Sequence, residues 1–145
     1  MSRTLAPTTP AHIGLAVRDL RPSIDFYTAA FALELMREGE SHGTRFAFLG
    51  DGARVTLTLW EQSGPAGLHH LAFEAPSADA VRAAESRLHA IGARMAYDGI
   101  VPHAEGAASG GLFFTDPDGL RLEISTPSGI AGRAPVADAP TCGFF

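Results

Sequence analysis

The chain has 145 residues, 46% hydrophobic and 19% charged, a balance that suits one soluble globular domain with a continuous core. Its net charge of -5 argues against a nucleic-acid partner, because gripping a phosphate backbone needs a clustered basic surface. No uninterrupted apolar run reaches the roughly 18 residues of a membrane helix, and Cys142 is the only cysteine, which excludes an internal disulfide and a cysteine-based zinc site.

The segment Met1 to Ala11 is polar and rich in Pro and Thr. It lacks the apolar run of a signal peptide, so the expected compartment is the cytoplasm. A first strand is expected from His12 to Val17, with Ile13, Leu15 and Val17 on one face and His12, Gly14 and Ala16 on the other. A helix follows: Asp19 is a capping residue type, Pro22 suits the first turn, and Leu20, Ile24, Tyr27 and Phe31 recur at helical spacing. Three further strands are expected at residues 33–38, 44–49 and 54–60, the last two joined by Gly50-Asp51-Gly52. Residues 62–68 read as a linker.

The same order then repeats. His70-Leu71-Ala72-Phe73-Glu74-Ala75 matches the opening strand, and Ser77 and Asp79 suit the start of a second helix. Val81, Ala84, Leu88 and Ile91 form its apolar stripe and Gly92 stops it. Strands are expected at 94–97, 112–115 and 120–126, the last two joined by Asp116-Pro117-Asp118-Gly119. The fold class is therefore α+β, with two βαβββ modules: module one at 12–61 and module two at 69–126 of a single domain spanning 12–126. Residues 1–11 and 127–145 are tails, the second ending in Phe144-Phe145. Residues 99–111, rich in Gly and Ala and carrying His103, Glu105 and Ser109, read as a mobile loop.

Strand alternation sorts the polar residues. Leu120, Leu122 and Ile124 face the helices, so Arg121, Glu123 and Ser125 face the other way. That second face also holds His12, His70, Thr56, Thr58 and Trp60. Curling of the sheet would line a concave cavity with them. Two imidazoles and a carboxylate suit divalent iron, manganese, zinc, cobalt or nickel, and three protein ligands leave positions open for substrate. A lone histidine at a strand start is more often structural; the equivalence of His12 and His70 in the two repeats raises the metal reading to even terms with that one. Aligning Gly52 with Gly119 sets Thr56 against Glu123. The bland readings of the neighbours are that His69 points away from His70 and is packed or exposed, Trp60 is core, Cys142 is a bystander, and Arg82 with Glu85 is a solvated face.

The stretches His12-Ile-Gly-Leu-Ala-Val-Arg-Asp-Leu with Ser23-Ile-Asp-Phe-Tyr27, and His70-Leu-Ala-Phe with Phe114-Thr-Asp-Pro-Asp-Gly-Leu-Arg-Leu-Glu123-Ile, resemble the opening and closing modules of the vicinal oxygen chelate superfamily, which groups glyoxalases, bleomycin-resistance proteins and dioxygenases. The resemblance covers residues 12–126. It implies a curved mixed sheet around a central cavity, a divalent metal on His12, His70 and Glu123, a small-molecule substrate chelated through vicinal oxygens, and a homodimer. Glyoxalase I enzymes add a fourth protein ligand where this chain has Thr56, so a three-ligand site looks more like extradiol dioxygenases or fosfomycin-modifying thiol transferases. The loop of the latter carries a cationic anion site, whereas residues 99–111 contain no Lys or Arg. Ala32 stands where relatives often end the first helix with Gly. The expected function is a metal-dependent lyase, dioxygenase or thiol transferase, with Glu123, Tyr97 and His103 as catalytic candidates and Thr56, Thr58, Trp60 and Arg121 lining the pocket. The alternative is a metal-free sequestering protein of the bleomycin-resistance kind.

Overall fold

A computed structural model describes residues 8–103 and 108–130. The elements run β1 (Thr9–Val17), α1 (Leu20–Phe31), β2 (Glu34–Ser41), β3 (Thr44–Gly50) and β4 (Val55–Glu61), then β5 (Gly67–Glu74), α2 (Ala78–Ala90), β6 (Arg94–Met95), β7 (Val101–Pro102), β8 (Gly110–Thr115) and β9 (Arg121–Thr126). The duplicated βαβββ order is present, and the second copy carries the additional short strand β7. Two compact units divide at Leu71/Ala72, inside β5. Among the described residues no helix is long and apolar enough to cross a membrane.

In the first unit, residues 11–71, the strands lie in the order β2-β3-β4-β1, with β1 and β4 parallel and the other pairs antiparallel. Val17, Ala47, Leu49 and Leu59 face α1 and bury Leu20 and Ile24 against it. Each such buried aliphatic side chain contributes about 1.5–3 kcal/mol. Phe31 leaves the expected stripe: it is 64% exposed and stacks on Tyr27 instead. Asp19 makes no side-chain cap. The first helical N–H, that of Leu20, donates to Glu61 Oε2 at 2.8 Å, so a carboxylate from the end of β4 caps α1. The helix ends at Ala32, which takes the left-handed conformation (φ 54°) that a glycine would adopt without strain.

In the second unit, β6 and β9 flank β8 in antiparallel register, and β7 also pairs with β8. The pairing of Val101 with Gly111 and Pro102 with Gly110 corrects the expectation of a loop throughout 99–111; Glu105 lies outside the described residues. Val81, Ala84 and Leu88 of α2 pack on Leu112, Phe114, Leu122 and Ile124. Ile91, past the helix end, is 78% exposed and outside that core. Local chemistry sets both ends of α2: Ser77 Oγ accepts from Ala80 N–H, and Gly92 takes φ 70°. Arg82 pairs with Asp79 rather than with Glu85. The tail residues Cys142, Phe144 and Phe145 lie outside the described residues.

Both hairpin turns use one device. Asp51 Oδ1 accepts from the N–H groups of Ala53 and Arg54 at 2.9 and 2.8 Å, and Asp116 Oδ1 accepts from those of Asp118 and Leu120, both at 2.8 Å. These bonds hold the Asp51 carboxyl below its ordinary pKa, the one from Arg54 most strongly.

Candidate functional site

Each unit gathers polar groups on the sheet face turned away from its helix. In the first unit, Leu15 and Val17 of β1 pack toward α1, so alternation sends His12, Gly14 and Ala16 to the opposite side. There Gly14 pairs with Thr58 and Ala16 with Trp60. His12 Nε2 and His70 Nε2 face each other at 3.0 Å, both rings buried and edge-on. The close approach depends on Gly14, because a Cβ there would lie 2.0 Å from His70 Nδ1.

His69 belongs to the same cluster, which corrects its expected placement on the opposite face. Its Nδ1 lies 2.9 Å from His70 Nδ1, and its ring stacks on Trp60 with centroids 5.3 Å apart and planes 13° from parallel. Trp60 is fully buried against Phe46 and Phe48, and its indole N–H donates to Thr58 Oγ1 at 3.1 Å. Thr58 and Trp60 thus form a packed wall behind the imidazoles. Thr56 is exposed.

The ladders also revise which residue of module one matches Glu123. Leu49 pairs with Leu57, and Phe114 pairs with Leu122; seven residues separate the partners in both hairpins, and all four side chains pack toward their helix. Thr58 therefore answers to Glu123. The glycine alignment fails by two residues because the turn geometries differ and β4 carries an irregularity beside Gly50.

In the second unit, Glu123 has no exposed surface and pairs across the ladder with Phe113. His103 Nε2 lies 2.8 Å from Glu123 Oε1, and His103 Nδ1 lies 3.0 Å from Ser109 Oγ. The His103 N–H donates to the Ser109 carbonyl at 3.1 Å. Tyr97 and His103 both meet the Phe113 ring edge-on, at 5.7 and 5.9 Å. Tyr97, His103 and Glu123 accordingly share one aromatic-floored face, whereas Arg121 sits at the exposed start of β9 opposite Thr115. Ser109 and Gly14 are the site-forming residues that sequence reasoning left without a role. The His70 ring that Gly14 accommodates lies far away in the chain.

A model of the glyoxalase/bleomycin resistance protein/dioxygenase superfamily matches residues 9–124. The chain belongs to that superfamily. It is 29% identical over 114 residues to a trivalent organoarsenical cleaving enzyme of Bacillus sp. (strain MD1), covering 79% of this chain and 70% of that enzyme. A Streptomyces coelicolor methylmalonyl-CoA epimerase variant in complex with 2-nitronate-propionyl-CoA shares the fold at TM-score 0.66 and 26% identity, over 85% of this chain and 100% of that one. BphC, a halotolerant catechol dioxygenase, shares it at TM-score 0.67 and 23% identity, over 81% of this chain and 39% of the dioxygenase. The α+β class with paired βαβββ modules is thus that of the superfamily.

The donor chemistry fits the divalent metals that members of this superfamily commonly use. Buried imidazoles and a buried carboxylate are expensive to desolvate, and a divalent ion offsets that cost. The two Nε2 atoms, 3.0 Å apart, could be held by a single ion.

Proposed function

We propose that the protein is a metal-dependent enzyme acting on a small polar molecule, with one divalent iron, manganese, zinc, nickel or cobalt ion held by His12, His70 and Glu123. The observation that carries the reading is the buried Nε2-to-Nε2 approach of His12 and His70, residues at matching positions of the two repeats. His12 precedes the first residue of α1 by eight positions, and His70 precedes that of α2 by the same count. The proposal takes residues 12–126 as one domain. Bound there, the ion supplies Lewis acidity toward vicinal oxygens of the substrate and stabilises oxyanion charge.

The residues around it have separable roles. His103, oriented by Ser109, donates Nε2–H to Glu123 Oε1 and so would fix the plane of the carboxylate that holds the ion. Tyr97 stands on the same face as a proton donor to a chelated substrate. Thr56 and Arg121, both exposed, are the pocket residues in reach of solvent-borne substrate, and Thr58 and Trp60 support the wall. The organoarsenical-cleaving, epimerase and dioxygenase proteins that the chain resembles do different chemistry, so the reaction is left among a lyase, a dioxygenase and a thiol transferase acting through a metal chelate. It extends to a homodimer, which sedimentation at micromolar concentration tests.

Elemental analysis of protein purified without chelators tests the metal. The expected result is about one divalent ion per chain, lost in His12→Ala and His70→Ala variants that remain folded. A metal-free wild type that takes up no added ion overturns the reading and favours the sequestering binder.

A further inference from the structure

We infer that His69 is a positioning residue that fixes the tautomer of His70. The inference rests on the reading of His70 as a ligand through Nε2. Three rings form a chain: His12 Nε2 lies 3.0 Å from His70 Nε2, and His70 Nδ1 lies 2.9 Å from His69 Nδ1. Each contact needs one N–H and one lone pair, and a neutral imidazole has one of each. The contacts must therefore point the same way along the chain. If the His70 proton sits on Nε2, its lone pair is turned away from His12 and the ring cannot ligate on that side. If the proton sits on Nδ1, Nε2 turns its lone pair toward His12, where an ion would sit, and Nδ1–H needs an acceptor.

His69 Nδ1, 2.9 Å away, is that acceptor, and it sits in a closely packed place. His70 has no exposed surface, and the backbone at Gly14 closes on its Nδ1 edge so tightly that a methyl group does not fit. A buried N–H deprived of its acceptor is destabilising, so removing His69 shifts the balance toward the tautomer that cannot ligate. The His69 ring is itself held. It stacks on Trp60, and Trp60 is pinned by its N–H bond to Thr58 and by the Phe46 ring. This gives the packed Thr58–Trp60 wall a purpose: it sets the plane of the ring that orients a metal-binding ring.

Two substitutions separate the acceptor from the packing. His69→Asn places an amide oxygen where Nδ1 stood, and His69→Phe keeps the stack on Trp60 but accepts nothing. Cobalt(II) is titrated into wild type and both variants and followed by its visible absorption, and the His70 tautomer is read in the metal-free proteins by long-range nitrogen–proton NMR. His70 is expected as the Nδ1–H tautomer in wild type and in His69→Asn, and as Nε2–H in His69→Phe. Cobalt affinity is expected to fall about 10–100-fold in His69→Phe and to recover to within about threefold of wild type in His69→Asn. An Nε2–H tautomer in wild type, or undiminished cobalt affinity in His69→Phe, overturns the assignment. The wild-type tautomer needs no variant, so it decides the matter even where His69→Phe fails to fold. If wild type binds no cobalt, the metal reading fails while the metal-free NMR still tests the role of His69.

Discussion

The two modules share an element order and a turn device but spend their polar residues differently. Module two encodes its helix locally, with Ser77 at the start and Gly92 after the end, and it buries a carboxylate held by His103. Module one borrows the cap of α1 from Glu61 at the far end of β4, ends α1 on a left-handed Ala32, and places Thr58 where module two has Glu123. The duplication preserves what folding needs, namely the core-facing positions and the aspartate turns. The face away from the helices is free to diverge, and the divergence leaves one carboxylate in the pair of modules rather than two.

Restoring the symmetry should break the protein. Thr58→Glu puts a second carboxylate into a fully buried position and takes the acceptor from the Trp60 indole. Equilibrium denaturation should show a loss of about 3–5 kcal/mol, the scale for an uncompensated buried charge. A variant near wild-type stability would mean that module one has room for a ligand at this position.

Gly14→Ala tests the packing of the imidazoles within the first unit, residues 11–71. Its methyl group would meet the His70 ring, so the expected cost is about 1–3 kcal/mol of stability. Metal uptake should fall with it, because His70 has to move. Unchanged metal content beside lowered stability would separate the fold from the site.

Smaller effects sharpen the contrast between the helix ends. Ala32→Gly should stabilise module one by about 1 kcal/mol, since Ala32 already holds a left-handed backbone, and Gly92→Ala should destabilise module two by a similar amount. Thermal unfolding of the pair reads both signs. The smallest expected effect is at the first aspartate turn. Because hydrogen bonds lower the pKa of Asp51 in the folded state, the stability it adds is present above the pKa of the unfolded carboxyl. It is lost as pH falls through the folded value. Asp51→Ala should therefore flatten a small part of the acid limb of the stability curve and leave the neutral region nearly parallel to wild type.

The contrast explains what could be read from the residues. Periodicity exposed the β, α, β, β, β order twice because both helices and strands bury one face, and the repeat brought His12 and His70 into register. Alternation alone placed Thr58 and Trp60 with His12, and Glu123 away from α2. What escaped was set by contacts distant in sequence. Nothing near residue 19 signals that Glu61 caps α1, and nothing near residue 14 signals that His70 fills the space a side chain would take. His69 was assigned to the wrong side because strict alternation ignores how far a ring can lean, and the expected loop at 99–111 hid β7 because two residues carry no period.

The central claim is the proposal that one ion is held by His12, His70 and Glu123. Crystals grown with cobalt(II) or iron(II), with diffraction recorded on either side of the metal absorption edge, test it most directly. The predicted result is one anomalous peak per chain, bonded to His12 Nε2, His70 Nε2 and a carboxylate oxygen of Glu123. A peak bonded to His12 and His70 without Glu123, or lying elsewhere on the protein, would contradict it.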